Sequence, residues 1–350
     1  MNIFHRISSQ ERVNFTKNLA IMLKSGIAIN EALAELAEQS NTPAMTDVIN
    51  RVRKDIENGT SLSQAFGKET QTFGGIFISL IKAGEESGTL QGNLQFLADW
   101  LNRSADLKRE ISTATMYPKL VFGAAILLGG SLAVFILPKL IPLFTSLNVK
   151  LPLITRILLA LSHMVQYYWV FGVLGILGAF AGVAYLNTFH LVRRFFHTVY
   201  ITMPFMGELL KNYQRALVTQ LFATLLKSGL SLNESIIIVA QSVTNVRYEE
   251  ALMVMHKTVI KGTTLSKSMK HFDTLFPHMM ISIVAVGESS GTLVQSFEYL
   301  SEFYTKEVNM QTKKMPTIIE PILLVFIALI VGFVALAIIM PIYELTGNLS

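Results

Sequence analysis

The chain is a tandem duplication. Gly84-Glu85-Glu86-Ser87-Gly88-Thr89-Leu90 returns 203 residues later as Gly287-Glu288-Ser289-Ser290-Gly291-Thr292-Leu293, with one change. The same ungapped offset superposes Leu23-Lys24-Ser25-Gly26 on Leu226-Lys227-Ser228-Gly229, Asn30-Glu31 on Asn233-Glu234, and Gly59-Thr60 on Gly262-Thr263. It also pairs Arg12 with Arg215, Phe73 with Phe276, Pro118 with Pro321 and Pro138 with Pro341. Chance does not place so many matches at one offset. A repeat of this length constrains the fold more than any local propensity, because both copies have to adopt one architecture.

Within the first copy every periodic stretch is helical. Val13, Leu19, Ala20, Met22 and Leu23 share an apolar face that ends at Gly26, where a left-handed C-terminal cap belongs. A short amphipathic helix follows from Asn30 through Leu33, Leu36 and Ala37. Thr42-Pro43 reads as an N-cap with proline at the first helical position, opening a helix that stops at Gly59. Ser61-x-x-Gln64 fits a capping box for a helix of one or two turns, and another apolar helix runs from Gly75 to about Ala83. Leu90, Leu94, Leu97 and Leu101 then form a single stripe on a long helix, answered in the second copy by Leu293, Phe297, Leu300 and Tyr304. No segment alternates with period two. Each copy is therefore expected to be a bundle of about six helices.

Half of the residues are apolar and only 15% are charged, against about 25% in ordinary globular proteins. The deficit is concentrated. Leu120 to Pro138 carries no charge and is long enough to cross a hydrocarbon core of about 30 Å. A second span is placed at Tyr168 to Leu186, anchored by Tyr167, Tyr168 and Trp169 and closed by Arg193 and Arg194; a third runs from Ile322 to Tyr343. Lysines and arginines beside the spans set the orientation. Lys108, Arg109, Lys119, Arg193, Arg194, Lys306, Lys313 and Lys314 all place both bundles in the cytoplasm, and no basic residue follows Pro341. An unrepeated middle span is then required to bring the chain back for the second copy.

The expected organisation is thus an all-α membrane protein with two homologous cytoplasmic bundles and three transmembrane helices. Residues 1–10 form a tail, 11–117 the first bundle, 118–141 the first span, 142–166 an extracytoplasmic loop and 167–187 the second span. Residues 188–316 form the second bundle, 317–343 the third span, and 344–350 an extracytoplasmic tail. Met1 to Arg12 has no apolar core, so it does not read as a cleavable signal peptide.

Several chemistries are excluded. There is no cysteine for a disulfide, thiolate metal site or cysteine nucleophile. The seven histidines show no metal-ligand spacing, and His190 and His197, flanking Arg193 and Arg194, read as interfacial residues near lipid headgroups. No phosphate-binding loop ends in Lys-Ser or Lys-Thr, and no ionisable residue lies inside the spans as drawn, which counts against a pump or an intramembrane peptidase. The net charge of +5 is spread over helical faces, so direct nucleic-acid binding has no support. No catalytic residue, cofactor or metal site is expected.

Gly84, Glu85, Glu86, Gly88 and their partners Gly287, Glu288 and Gly291 have two readings. The simpler joins two helices through glycine turns capped by Ser87 or Thr89. The functional one makes Glu85 and Glu288 exposed partner contacts, since a turn needs its glycines but not a retained acid. An ion site at Glu85 and Glu86 is a further, weaker alternative. Small residues in the spans, Gly175, Gly178, Ala179 and Gly182 in the second and Ala328 and Gly332 in the third, together with Gly129-Gly130 in the first, suit close helix packing, within the chain or against another. Pro118, Pro138, Pro321 and Pro341 read as span boundaries or mild kinks.

With Leu-Lys-Ser-Gly, Gly-Thr-Ser/Thr-Leu and Gly-Glu-x-Ser-Gly-Thr-Leu in order, twice, and three spans, the chain resembles the inner-membrane platform proteins of type II secretion and type IV pilus machines, over about residues 11 to 343. That resemblance implies a non-enzymatic protein of the bacterial inner membrane, standing between a cytoplasmic hexameric assembly ATPase and the pilin or pseudopilin subunits. It would work with other inner-membrane assembly proteins and associate with itself. A three-span component of a transporter or channel is the rival class, which same-direction repeats and uncharged spans oppose.

Overall fold

The computed structural model describes residues 7–131, 190–203 and 206–347, with isolated positions between 135 and 182. Among the described residues every regular element is a helix. The first copy comprises α1 (Ser9–Lys24), α2 (Ile29–Glu38), α3 (Pro43–Glu57), α4 (Leu62–Gly67), α5 (Thr70–Phe73), α6 (Gly75–Ser87) and α7 (Leu90–Ser131). After α8 (His190–Thr202) the second copy follows as α9 (Met206–Lys227), α10 (Leu232–Ser242), α11 (Val246–Val259), α12 (Leu265–Met269), a 3-10 turn at Lys270–Phe272, α13 (His278–Ser290) and α14 (Leu293–Gly347).

The punctuation is local chemistry. Thr42 caps α3 by accepting from the Met45 N–H, with Pro43 at the first helical position, and Ser61 accepts from the Gln64 N–H at 3.3 Å to cap α4. In the second copy Ser231 and Glu234 complete a reciprocal capping box on α10. Gly26, Gly59 and Gly88 turn the chain at φ of 83°, 85° and 70°, and Gly229, Gly262 and Gly291 repeat them at 88°, 88° and 73°. A side chain at these φ values is strained, so glycine ends the helix there at the least conformational cost.

Two compact units result, one from Met1–Glu110 with Arg194–Met310 and the other from Ile111–Arg193 with Gln311–Ser350. The first holds both bundles. In the first copy α2 packs on α1 and α3, and α4 on α3 and α6; in the second α10 packs on α9 and α11, and α12 on α11 and α13. The copies meet where α10 lies on α6. Their cores are filled differently on the same frame. Phe66 sits among Phe15, Phe73 and Phe77, with ring centroids 4.8 to 6.0 Å away, whereas the second copy has Phe222 stacked on Phe297 at 4.7 Å and Tyr248 edge-on to Phe276 at 5.6 Å. Leu94 and Leu97 of the leucine stripe are fully buried, as are Phe297 and Leu300, while Leu90 and Leu101 are only partly covered.

In the second unit, Phe122 stacks on Phe326 at 5.6 Å, and a methyl group on Gly129 would lie 3.2 Å from the Ile330 side chain. Leu120, Ile126, Leu127 and Leu128, like Ile322, Leu324, Val325 and Leu329, are exposed. Eighteen-residue windows of mean hydropathy 1.4 in Leu90–Ser131 and 2.8 in Leu293–Ala337 are only 6% buried. Apolar faces of that length are stable only against lipid or another protein. α7 carries the part of the first predicted span up to Ser131, and α14 carries the third. The second span, the loop at 142–166 and Pro138 lie outside the described residues, apart from isolated helical positions. Pro118, Pro321 and Pro341, read as span boundaries or mild kinks, all lie within continuous helices: α7 runs through Pro118, and α14 through the other two.

Candidate functional site

The repeated motifs converge at one end of each bundle. Gly59-Thr60-Ser61-Leu62 ends α3 and starts α4, and Gly84 to Leu90 ends α6 and starts α7. The amide of Gln91, in the first turn of α7, donates to the Leu23 carbonyl at 2.9 Å, which ties the end of α1 to the same place.

Glu85 is the centre of this junction. Its two carboxylate oxygens accept from the backbone N–H groups of Leu62 at 2.6 Å and Ser63 at 3.0 Å. The second copy repeats the arrangement: Glu288 accepts from Leu265 at 2.5 Å and from Ser266 at 2.9 Å. The first N–H groups of a helix have no partner inside it, and a carboxylate there gains both hydrogen bonds and the favourable end of the helix dipole. With Ser61 and Thr264 accepting from the next N–H groups, the short helices α4 and α12 are capped by a side chain from another helix. Glu85 and Glu288, expected to be exposed, are instead half-buried capping groups. In both copies the acid meets the free N–H groups of a neighbouring helix.

The glycines also divide into roles. Gly84 is not a turn residue, because α6 extends through it to Ser87. It is buried where α7 begins, and a Cβ would come within 2.7 Å of the Leu90 Cα. Gly287 is its equivalent, where an added methyl would collide with Ser296 Oγ and lie 3.2 Å from the Leu293 Cα. The turn itself is Gly88 and Gly291, both left-handed. Glu86 remains exposed, 3.8 Å from Lys82, and Ser289 replaces it in the second copy. Nothing in the sequence pairs Glu85 with Leu62 directly; the only available signal was that both motifs return together with the same 23-residue spacing, 62 to 85 and 265 to 288.

The pair Arg12 and Arg215 is a second recurrent feature of the duplication. Arg215 is buried, donating from Nε to the Leu275 carbonyl at 2.8 Å and from Nη1 to Glu208 at 2.8 Å and Asn212 at 2.7 Å. The guanidinium lies 5.8 Å from the Tyr304 ring centroid. Burial works to raise the Glu208 carboxyl, but the hydrogen bond and charge of Arg215 prevail and hold it below the ordinary value. Burial pushes the neighbouring Tyr248 phenol well up.

Of the other predicted positions, His197 is half-buried and caps a helix start. Its Nδ1 accepts from the Val246 N–H at 3.1 Å at the start of α11. Among the small residues, a Cβ on Gly175, Gly178, Gly182 or Gly332 would meet nothing within 4 Å. Ala328 is exposed, and Ala179 lies outside the described residues.

The sequence model of the family described as type II secretion system (T2SS), protein F, matches residues 15–138 and again 218–341. The chain is 29% identical over 336 residues to the type IV pilus assembly protein PilC of Thermus thermophilus, covering 96% of this chain and 82% of that one. It is 29% identical over 344 residues to the type II secretion system protein F of Aeromonas hydrophila, covering 98% and 88%. With the type IV pilus assembly protein PilC of Pseudomonas aeruginosa it shares 25% over 337 residues, covering 95% and 89%.

Proposed function

The chain belongs to the type II secretion system protein F family, and from that premise we propose that it is an inner-membrane platform protein, coupling a cytoplasmic assembly ATPase to polymerisation of pilin or pseudopilin subunits in type IV pilus biogenesis or type II secretion. It does this without catalysis of its own, with both bundles in the cytoplasm, the C-terminus outside, and partners among other inner-membrane assembly proteins and further copies of itself. The small residues Gly175, Gly178, Gly182, Ala328 and Gly332 serve contacts with such neighbours in the bilayer.

The observation that carries this reading is the continuity of α7 and α14. Each begins at the capped Gly-Glu junction and continues without interruption into an apolar stretch, over 42 and 55 residues, or about 63 and 82 Å at 1.5 Å per residue. A helix is stiff along its axis, so a force applied at the junction is transmitted to its apolar end. Glu86, the acid left exposed there, makes the first copy the better contact for a partner.

The reading is tested by deleting the gene in its host, scoring fibre assembly and protein secretion, and co-purifying the full chain with an assembly ATPase. Loss of one process together with ATPase association supports it. Normal assembly and secretion in the deletion strain would overturn it, and solute transport by the reconstituted chain alone would favour a transporter.

A further inference from the structure

The duplication places one arginine in two settings. Arg12 and Arg215 are equivalent, and each donates to the equivalent carbonyl, Arg12 to Thr72 at 2.9 Å and Arg215 to Leu275 at 2.8 Å. Arg215 finds the rest of its partners inside the chain, above all the Glu208 carboxylate. Arg12 does not. At the positions 203 residues before Glu208 and Tyr304 stand His5 and Leu101, and Ser9 replaces Asn212, accepting from Arg12 at 3.2 Å. Among the described residues Arg12 has no carboxylate partner. Among the described residues its Nε is buried without any hydrogen bond, and burial lowers its pKa.

Beside it is a cavity of 300 Å³, at the lower end of the range for small-molecule sites. Arg12, Trp100, Ser104 and Lys108 line it, with Ile76 and Leu101 as apolar wall; among the described residues no acidic side chain does. Among the described residues Trp100 Nε1 and Ser104 Oγ are buried and unpartnered, like Arg12 Nε. Buried donors without acceptors are rare in native structures, because each forfeits its hydration for nothing in return. Here three belong to residues around one cavity that carries two positive charges and no negative one.

We propose that this cavity is a carboxylate-binding site in which the Arg12 guanidinium takes the anion, supported by Lys108 and by the Trp100 and Ser104 donors. A carboxylate fits better than a phosphate because it is what the same arginine holds in the second copy, and the apolar wall suits the carbon chain behind it. The acid comes from a free organic anion or from an Asp or Glu side chain of another protein. The site is independent of the platform reading.

The test uses the full chain in detergent. There are two tryptophans, Trp100 and Trp169, so a Trp169→Phe background leaves Trp100 as the only indole reporter. Glutarate, a capped triglutamate peptide and inorganic phosphate are titrated separately. A saturable change in Trp100 emission with glutarate or the peptide, weakened about tenfold or more by Arg12→Gln, supports the site. Response to glutarate identifies a free anion as the source, and response to the peptide alone identifies a protein side chain. Ser104→Asp supplies a tethered carboxylate, so it should abolish the response and raise the melting temperature. No response to either carboxylate, a response to phosphate only, a response undiminished in Arg12→Gln, or an unchanged response in Ser104→Asp would overturn it.

Discussion

Glu85→Ala and Glu86→Ala remove adjacent acids from the same turn and should have very different consequences. Glu85 holds two backbone N–H groups at 2.6 and 3.0 Å from a half-buried position. Hydrogen bonds to a charged group contribute about 1.5 to 3 kcal/mol each. Partial exposure argues for the lower end, so the loss should be about 3 kcal/mol, with the first turn of α4 left uncapped. At roughly 2 to 4 °C per kcal/mol for a folded unit of this size, the melting midpoint should fall by about 6 °C or more. Glu85→Gln keeps one acceptor oxygen but sets an amide against the second N–H, and should cost about half as much. Glu86 is exposed and only 3.8 Å from Lys82, a surface pair worth roughly 0 to 0.5 kcal/mol, so its removal should leave the midpoint nearly unchanged. The assay is thermal unfolding of the purified full chain in detergent, followed by helical circular dichroism. Equal midpoints for Glu85→Ala and Glu86→Ala would refute the capping role, and Glu288→Ala provides an independent repeat of the test in the second copy.

Gly84→Ala should be destabilising because its Cβ would sit 2.7 Å from the Leu90 Cα, whereas Gly88→Ala, strained only by its φ of 70°, should cost about 1 kcal/mol; comparing the two midpoints separates collision from backbone strain. Because the folded pKa of Glu208 is depressed, its contribution is present above the unfolded carboxyl pKa and is lost as pH falls through the lower folded value. Glu208→Gln should therefore flatten the acid limb of the stability profile. Leu127→Arg puts a charge on an exposed apolar face of α7 and should oppose membrane insertion by about 3 kcal/mol, read as a reduced membrane-integrated fraction. Since the chain has no cysteine, single substitutions report topology: Asn148→Cys should label with a membrane-impermeant maleimide in cells whose outer barrier is permeabilised, and Glu57→Cys and Ser282→Cys only after the inner membrane is opened.

What the sequence determined by itself is whatever depends on residues near one another in the chain, together with the duplication. Helical periodicity, the caps at Thr42 and Ser61, and the terminating glycines at 26, 59 and 88 follow from local backbone chemistry, and repetition at a constant offset made each of them legible twice. Charge depletion marked the spans carried by α7 and α14 for the same reason, since hydropathy is additive along a segment. The meaning of the retained acid was decided only in three dimensions. Glu85 reads as a surface residue because the groups it holds are 22 and 23 positions away, and no spacing rule connects a carboxylate on one helix to the free N–H groups of another. Gly84 likewise reads as a turn until α7 is seen to start against it. Proline reads as a span boundary or mild kink from its missing N–H, and only the structure shows that α7 continues through Pro118, because the loss of one hydrogen bond in a long helix is tolerated where the flanking turns are intact. The two arginines show the same division most plainly: identical in the sequence alignment of the copies, they differ because Glu208 reaches Arg215, and which side chains reach a buried charge is settled by packing.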